Sequence, residues 1–267
     1  YIQMWHGSFG IKKIENDCGN LTQDQAWLAL AKKNSRYTDV WVSNSDFETA
    51  IYRRAFWDVG DVRLFGHPRN DIFFGDGMET ARARVTAYLG KSRQNLLLYV
   101  PTFRDDAMIW EQRLDVTLLK QSLEQRFGGS WLILARLHPR MKAYTQMLPK
   151  EPFCVNVTDY PDIQELLAAA DAVVTDYSSA VFDYLLTGRP AFLYAPDYKA
   201  YETVRGLYYP LAETPFPVAS DNGQLAKHIA SFDELVYKGK VRKFLEEKGS
   251  VEDGGASARV AGLIADQ

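Results

Sequence analysis

"AVVTDYSSAVFDYLLTGRP", residues 172–190, passes from a short β-branched apolar run through an acid, a ring and two hydroxyls into a helical pattern. Residues 172–175 have the length and composition of a buried strand, and Ser178 and Ser179 stand where a helix takes its N-cap. Free N–H groups and the positive dipole end of a first helical turn, joined by serine hydroxyls, make a seat for phosphate. The plainer reading of the same residues is a capped helix. Outward from this stretch, strands are predicted at 2–4, 39–43, 62–65, 96–100, 131–137, 153–157, 172–175 and 191–194. Helical patterns at 25–33, 46–57, 79–89, 111–127, 162–170 and 179–186 separate most of them. That alternation predicts an α/β protein with parallel sheets and helices on both faces.

The polar "LGKSRQN", residues 89–95, interrupts the pattern and marks a boundary. Residues 1–92 are expected to form the remainder of one Rossmann-like half, and 93–220 a complete doubly wound half. Residues 221–267 are expected to be helices packing back across both. The opening "YIQMWHG" reads as a strand end without an initiator methionine, so the first half is expected to be incomplete at its N-terminus.

A chain of 267 residues, 46% hydrophobic and 13% aromatic, supports a substantial core. A net charge of -3, from 31 basic and 34 acidic residues, supplies no global field for nucleic acid, so any anion is held locally. Two distant cysteines, Cys18 and Cys154, fit a reducing compartment and neither a disulfide framework nor a zinc site. No stretch reaches membrane-spanning length and no signal-peptide layout is present, so a cytoplasmic location is expected.

Ligands of doubly wound sheets bind beyond the carboxyl ends of the strands. There the sequence places "WHGSFGIKK", "GHPRND", "PTFRDD", "HPRMK", "TDYPD" and "DYSS". His6 is suited to take a proton near neutral pH, with Gly10, Lys12 and Lys13 following in a flexible loop, although a histidine bonded to a loop carbonyl fits equally. Arg136, His138 and Arg140 offer donors to a diphosphate, or form a solvated rim. Thr102 and Arg104 also suit phosphate. Asp105 and Asp106 read as a surface turn rather than a metal site, and His67, Arg69, Asn70 and Asp71 as a capped structural turn. Asp183, four residues past Ser179, faces the helix start and is either a ribose ligand or an exposed helix residue. In "IYRRAFW", residues 51–57, Arg53 and Arg54 among aromatics suit anionic lipid, but Phe47, Ile51 and Ala55 share one face and read as core.

Taken in order, "WHG…KK", "YTDVWVSNSDFETAIYRRAFW", "GHPRND", "PTFRDD", "RLHP", "VTDYPDIQELLAAADAVVTDYSSAVFDYLLTGRP" and "DGGASARV" resemble the CDP-glycerol glycerophosphotransferase family, the teichoic acid primases and polymerases and related capsule polymerases. The resemblance implies a B-type glycosyltransferase fold, two Rossmann-like halves across a cleft. It also implies transfer of glycerol phosphate from a CDP-alditol donor to a hydroxyl, with release of CMP. By the same resemblance His6, next to Gly7, is the base, and His138 steadies the phosphoryl charge beside Arg136. "DYSS", with Asp176, Ser178 and Ser179, holds the donor diphosphate, Asp183 lies near the ribose and Asp159 near the cytosine, and Gly7, Lys12, Thr102, Arg104 and Arg136 are further substrate-binding residues. No cofactor and no metal are implied. A lipid-linked or polymer acceptor is implied, and with it peripheral contact with the inner membrane face. The competing expectations are a nucleotide-sugar glycosyltransferase of the same fold and a non-catalytic nucleotide-binding module.

Overall fold

The computed structural model describes residues 1–21, 25–90, 94–102 and 114–265, arranged around two parallel sheets. The smaller sheet has the order β1 (Ile2–Met4), β2 (Val40–Ser43) and β3 (Asp61–Leu64). Between its strands run α1 (Gln25–Ser35) and α2 (Asp46–Ala55). Ser45 caps α2 by accepting the Glu48 N–H, and the helix buries Ile51, Tyr52 and Ala55 on one face. Arg53 and Arg54 lie on the exposed side, Arg54 paired with Asp17 at 2.8 Å, so "IYRRAFW" is a core-facing helix end.

The larger sheet contains β4 (Asn95–Val100), β5 (Trp131–Ala135), β6 (Cys154–Asn156), β7 (Ala172–Thr175), β8 (Ala191–Tyr194) and β9 (Val218–Ala219). Their spatial order is β6-β5-β4-β7-β8-β9, with every described pairing parallel. The runs LLL, WLILA, AVVT and AFLY are buried throughout because helices cover both faces, as continuous apolar strands require. Connections leave β4 and β7 in opposite directions, so a switch point lies between them, and Val100 stands in register with Thr175. The chain therefore leaves both strands at one level, with Thr102 opposite Asp176.

Aspartate caps start most of the helices around this sheet. Asp115 accepts the Thr117 and Leu118 N–H groups at the head of α4 (Val116–Phe127), while the expected helix start at 111 lies outside the described residues. Asp162, Asp221 and Asp233 do the same for α5 (Ile163–Ala169), α8 (Asn222–Ala230) and α9 (Glu234–Glu247). The sequence pattern did not reveal α7 (Tyr198–Arg205) or the two-residue β9.

Segments from both ends of the chain cross between the sheets. Phe9 and Ile11, just after β1, and Ala81 and Val85 of α3 (Gly77–Leu89) are buried in the core of the larger sheet. Lys12 pairs antiparallel with Leu207, and the Lys13 N–H donates to the Gly206 carbonyl at 3.1 Å, so the expected flexible loop is docked. Near the other terminus, the Val251 N–H donates to the Asn44 carbonyl at 2.9 Å and Asp46 N–H to Gly249 at 3.2 Å. Gly249 has φ +65°, and a Cβ there would strike the Asp46 side chain, so glycine alone suits this return. Lys248 stands 4.2 Å from the Phe47 ring centre and 4.0 Å from that of Tyr209, an ammonium held between aromatic faces of the two halves. The last helix, α10 (Ala256–Ala265), is fastened to the 66–71 turn through Asp71, which accepts the Ala256 and Ser257 N–H groups. Cys18 and Cys154 are free thiols.

Candidate active site

The turn after β7 meets the loop that follows β1, and Lys12 of that loop lies within electrostatic reach of His138 after β5. At the switch point Asp176 is buried and one of its carboxylate oxygens accepts the Thr102 N–H at 2.8 Å and the Tyr177 N–H at 2.6 Å. This fixes the DYSS turn to the end of β4. Ser178 and Ser179 lie half-buried beyond it, at the head of the short helix α6 (Ala180–Tyr184). Neither is a regular N-cap: Ser179 already has helical dihedrals, φ -65° and ψ -17°, and its hydroxyl caps no helix N–H. The Ser179 hydroxyl instead donates across the cleft to the His6 carbonyl at 3.4 Å, and Ser178 Oγ faces the Ala180 N–H at 3.4 Å.

His6 follows β1, its ring 4.4 Å from that of Trp5, which packs on Phe56. The imidazole reaches solvent. Surrounding protein nevertheless holds its pKa below the ordinary histidine value by burial, with Arg69 and Lys12 adding to this and Asp183 and Glu48 opposing it. Burial, Arg140 and Lys12 lower the His138 pKa likewise. Lys12 thus acts on both rings, and the neutral form of each is favoured. His138 caps the turn after β5, its Nδ1 accepting the Arg140 N–H at 3.2 Å, so in the neutral ring the proton sits on Nε2.

Arg136 is half-buried and donates to the Tyr160 carbonyl at 2.5 Å, tying the end of β5 to the "TDYPD" loop. Asp159 is exposed on that loop and pairs with Lys142 at 2.7 Å. Gly7 closes the turn after His6, its carbonyl accepting the Gly10 N–H at 2.7 Å. Arg104, Asp105 and Asp106 lie outside the described residues.

Asp183 differs from both sequence expectations. It is neither exposed nor open to a ribose: its relative exposure is 5%, and protein donors take both oxygens. Ser8 Oγ donates to it, as do Arg69 Nε at 2.9 Å, Gln164 Nε2 at 3.0 Å and Asn70 Nδ2 at 3.4 Å. Burial alone would raise its pKa, but the Arg69 charge and these hydrogen bonds outweigh it and hold the carboxyl below the ordinary value.

Residues 1–266 match the family described as CDP-glycerol:poly(glycerophosphate) glycerophosphotransferase. The chain belongs to that family. It is 31% identical to a teichoic acid poly(glycerol phosphate) polymerase of Staphylococcus epidermidis over 99% of this chain and 38% of that protein. It is 32% identical to a teichoic acid glycerol-phosphate transferase of Staphylococcus aureus over 99% of this chain and 70% of that protein. A solved structure of the wall teichoic acid polymerase TagF, a histidine-to-asparagine variant, matches with a TM-score of 0.83 at 27% identity, covering 100% of this chain and 68% of that one. The same variant soaked with CDPG matches with a TM-score of 0.82 at 28% identity, covering 100% and 67%. The fold is that of a B-type glycosyltransferase. The chain thus spans between about two fifths and two thirds of the length of these glycerophosphotransferase relatives.

In this family member the polar layer behind the cleft had no separate sequence signal. His67 Nε2 bonds the Glu48 carboxylate at 2.8 Å, both side chains fully buried, and Glu48 also accepts the Asn44 N–H at 2.8 Å. Glu252 accepts from Asn44 Nδ2 at 3.0 Å and Asn70 Nδ2 at 2.7 Å. The "GHPRND" turn lacks the local side-chain cap expected of it, and its side chains instead reach distant partners, Arg69 to Asp183 and Asn70 to Glu252.

Proposed function

We propose that the protein transfers glycerol phosphate from CDP-glycerol to a hydroxyl of a teichoic-acid-type acceptor and releases CMP. What carries this reading is the meeting of the neutral His6 loop with the DYSS turn in a member of this family, Ser179 bonding the His6 carbonyl. His6 takes the proton of the acceptor hydroxyl, whose oxygen attacks the glycerol-bearing phosphorus in line. A P–O bond forms, the P–O bond to CMP breaks, and the electron pair leaves on the CMP phosphate. His138, protonated on Nε2 in its neutral form, donates to phosphoryl or leaving-group oxygen, while Lys12 and Arg140 offset the accumulating negative charge. Ser178 and Ser179 seat the diphosphate, Thr102 and Arg136 flank it, and the Asp159 loop lies where the base extends. A family relative soaked with CDPG supports this donor assignment.

Replacing Ser178 and Ser179 together by alanine is expected to weaken CDP-glycerol binding by about 1–3 kcal/mol, the scale of lost hydrogen bonds to a charged group. Calorimetry with unchanged affinity removes them from the donor seat. No resident metal takes part in this reading, because cationic and imidazole groups carry the charge. CMP release is therefore expected to survive EDTA, and loss of activity restored by magnesium refutes that point. A uridine donor is distinguished by competition: CDP is expected to displace CDP-glycerol, and UDP is not.

The acceptor is a lipid-linked or polymeric alditol phosphate, reached by peripheral contact with a membrane. Among the described residues no helix is long and apolar enough to cross one. Supporting surface contact, α1 exposes Trp27 and Leu30 beside Lys32 and Lys33, a composition suited to an anionic lipid surface.

A further inference from the structure

His6 is bracketed by two anchors made by Arg69, whose guanidinium is in turn paired with Asp183 from the other side of the molecule. On its N-terminal side the Trp5 carbonyl accepts from Arg69 NH1 at 2.5 Å. Beyond Gly7, the Ser8 hydroxyl accepts from Arg69 NH2 at 2.8 Å and donates to Asp183. Arg69 reaches Asp183 through Nε as well, so one guanidinium fork holds the carboxylate, the serine and the strand end together. Ser8 has φ +32°, a left-handed backbone that serine adopts only when its surroundings impose it. Gly10 is folded against the Ser179 side chain, its position for a Cβ lying 3.5 Å from Ser179 Cβ.

From this geometry we infer that Asp183, Arg69 and Ser8 are positioning residues that set the place of the His6 imidazole relative to the DYSS turn. Asp183 lies on α6, the short helix that follows Ser178 and Ser179, so one element carries both the proposed donor seat and the anchor of the base. The donor and the base are thereby held at a fixed spacing although they belong to different halves. A base displaced by about 1 Å loses on the order of 10²-fold in rate, which is the penalty such an anchor prevents. Asp183 is buried and Arg69 is largely so, each is engaged by protein partners, and they act through the loop. This inference rests on His6 being the base of the transfer proposed above.

The test uses the full-length protein and the variants Ser8→Ala, Arg69→Lys, Arg69→Gln and Asp183→Asn. Ser8→Ala and Arg69→Lys are expected to lower kcat for CMP release by about 10- to 100-fold while CDP-glycerol Kd stays within about twofold. A second readout is the His6 imidazole titration by NMR, with His138 as internal control. The charges facing His6 are Arg69, Lys12, Asp183 and Glu48, and those facing His138 are Arg140 and Lys12. Removing the Asp183 charge in Asp183→Asn is expected to move the His6 midpoint down, and removing the Arg69 charge in Arg69→Gln to move it up, leaving His138 in place. Full kcat in Ser8→Ala, or a His6 midpoint unmoved in both charge variants, overturns the positioning role. Should the unmodified protein release no CMP, the reaction fails and the titration alone decides this inference.

Discussion

Replacing His6 with alanine is expected to slow CMP release by about 10²–10⁴-fold, the usual contribution of a general base, with CDP-glycerol affinity almost unchanged. The base touches the attacking hydroxyl, which belongs to the acceptor, so the donor complex forms without it. His138→Ala is expected to damage both binding and turnover, because a donor beside the diphosphate acts before and during the reaction. Single-turnover CMP release with donor titration separates the two variants. A His6→Ala protein that keeps near-normal turnover, or loses donor affinity as badly as His138→Ala, reassigns the base. The pH profile follows from the lowered His6 pKa: the neutral base persists to more acidic pH than an ordinary histidine allows, so the acid limb of kcat/KM lies below 6.5. Removing a positive neighbour in Lys12→Met is expected to shift that limb upward.

The second large effect is on stability. His67→Ala is expected to cost about 3 kcal/mol in urea unfolding, because it removes a buried ring and leaves the buried Glu48 carboxylate short of a donor. Glu48 retains the Asn44 N–H, which keeps the loss below that of a wholly stranded charge. His67→Ala combined with Glu48→Gln is expected to be less harmful than the sum of the two single changes, since a neutral amide tolerates the missing partner better. Strict additivity in the cycle, or a loss under about 0.5 kcal/mol for His67→Ala, shows that the pair is not held as described.

Much of the six-stranded sheet was legible in the chain itself. Continuous runs such as 96–98 and 172–175 have only one stable use, a parallel strand covered on both faces, and the polar residues that follow them must then fall at one sheet edge. His6, His138, Ser178 and Ser179 were singled out in that way, and the structure joins the His6 loop to the DYSS turn through the Ser179 hydroxyl and the His6 carbonyl. Asp183 was misjudged because helical spacing reports which face a residue shares, not whether a guanidinium 114 residues away will bury that face. For the same reason the "GHPRND" turn looked like local capping, although Arg69 reaches Asp183 and Asn70 reaches Glu252. Long-range pairing of polar groups leaves no period in a sequence. The two-residue β9 and α7 were missed because one is too short to show alternation and the other follows a strand without a strong N-cap signal, Asp197 making no side-chain cap bond.

The most direct test of the proposed function is CMP release by the full-length protein incubated with CDP-glycerol and, separately, with CDP-ribitol, each with and without a poly(alditol phosphate) acceptor. Acceptor-dependent CMP release from CDP-glycerol, lost in His6→Ala, is the result predicted. Tight CDP-glycerol binding with no CMP formed under any acceptor, or equal turnover of a UDP-sugar, would contradict it.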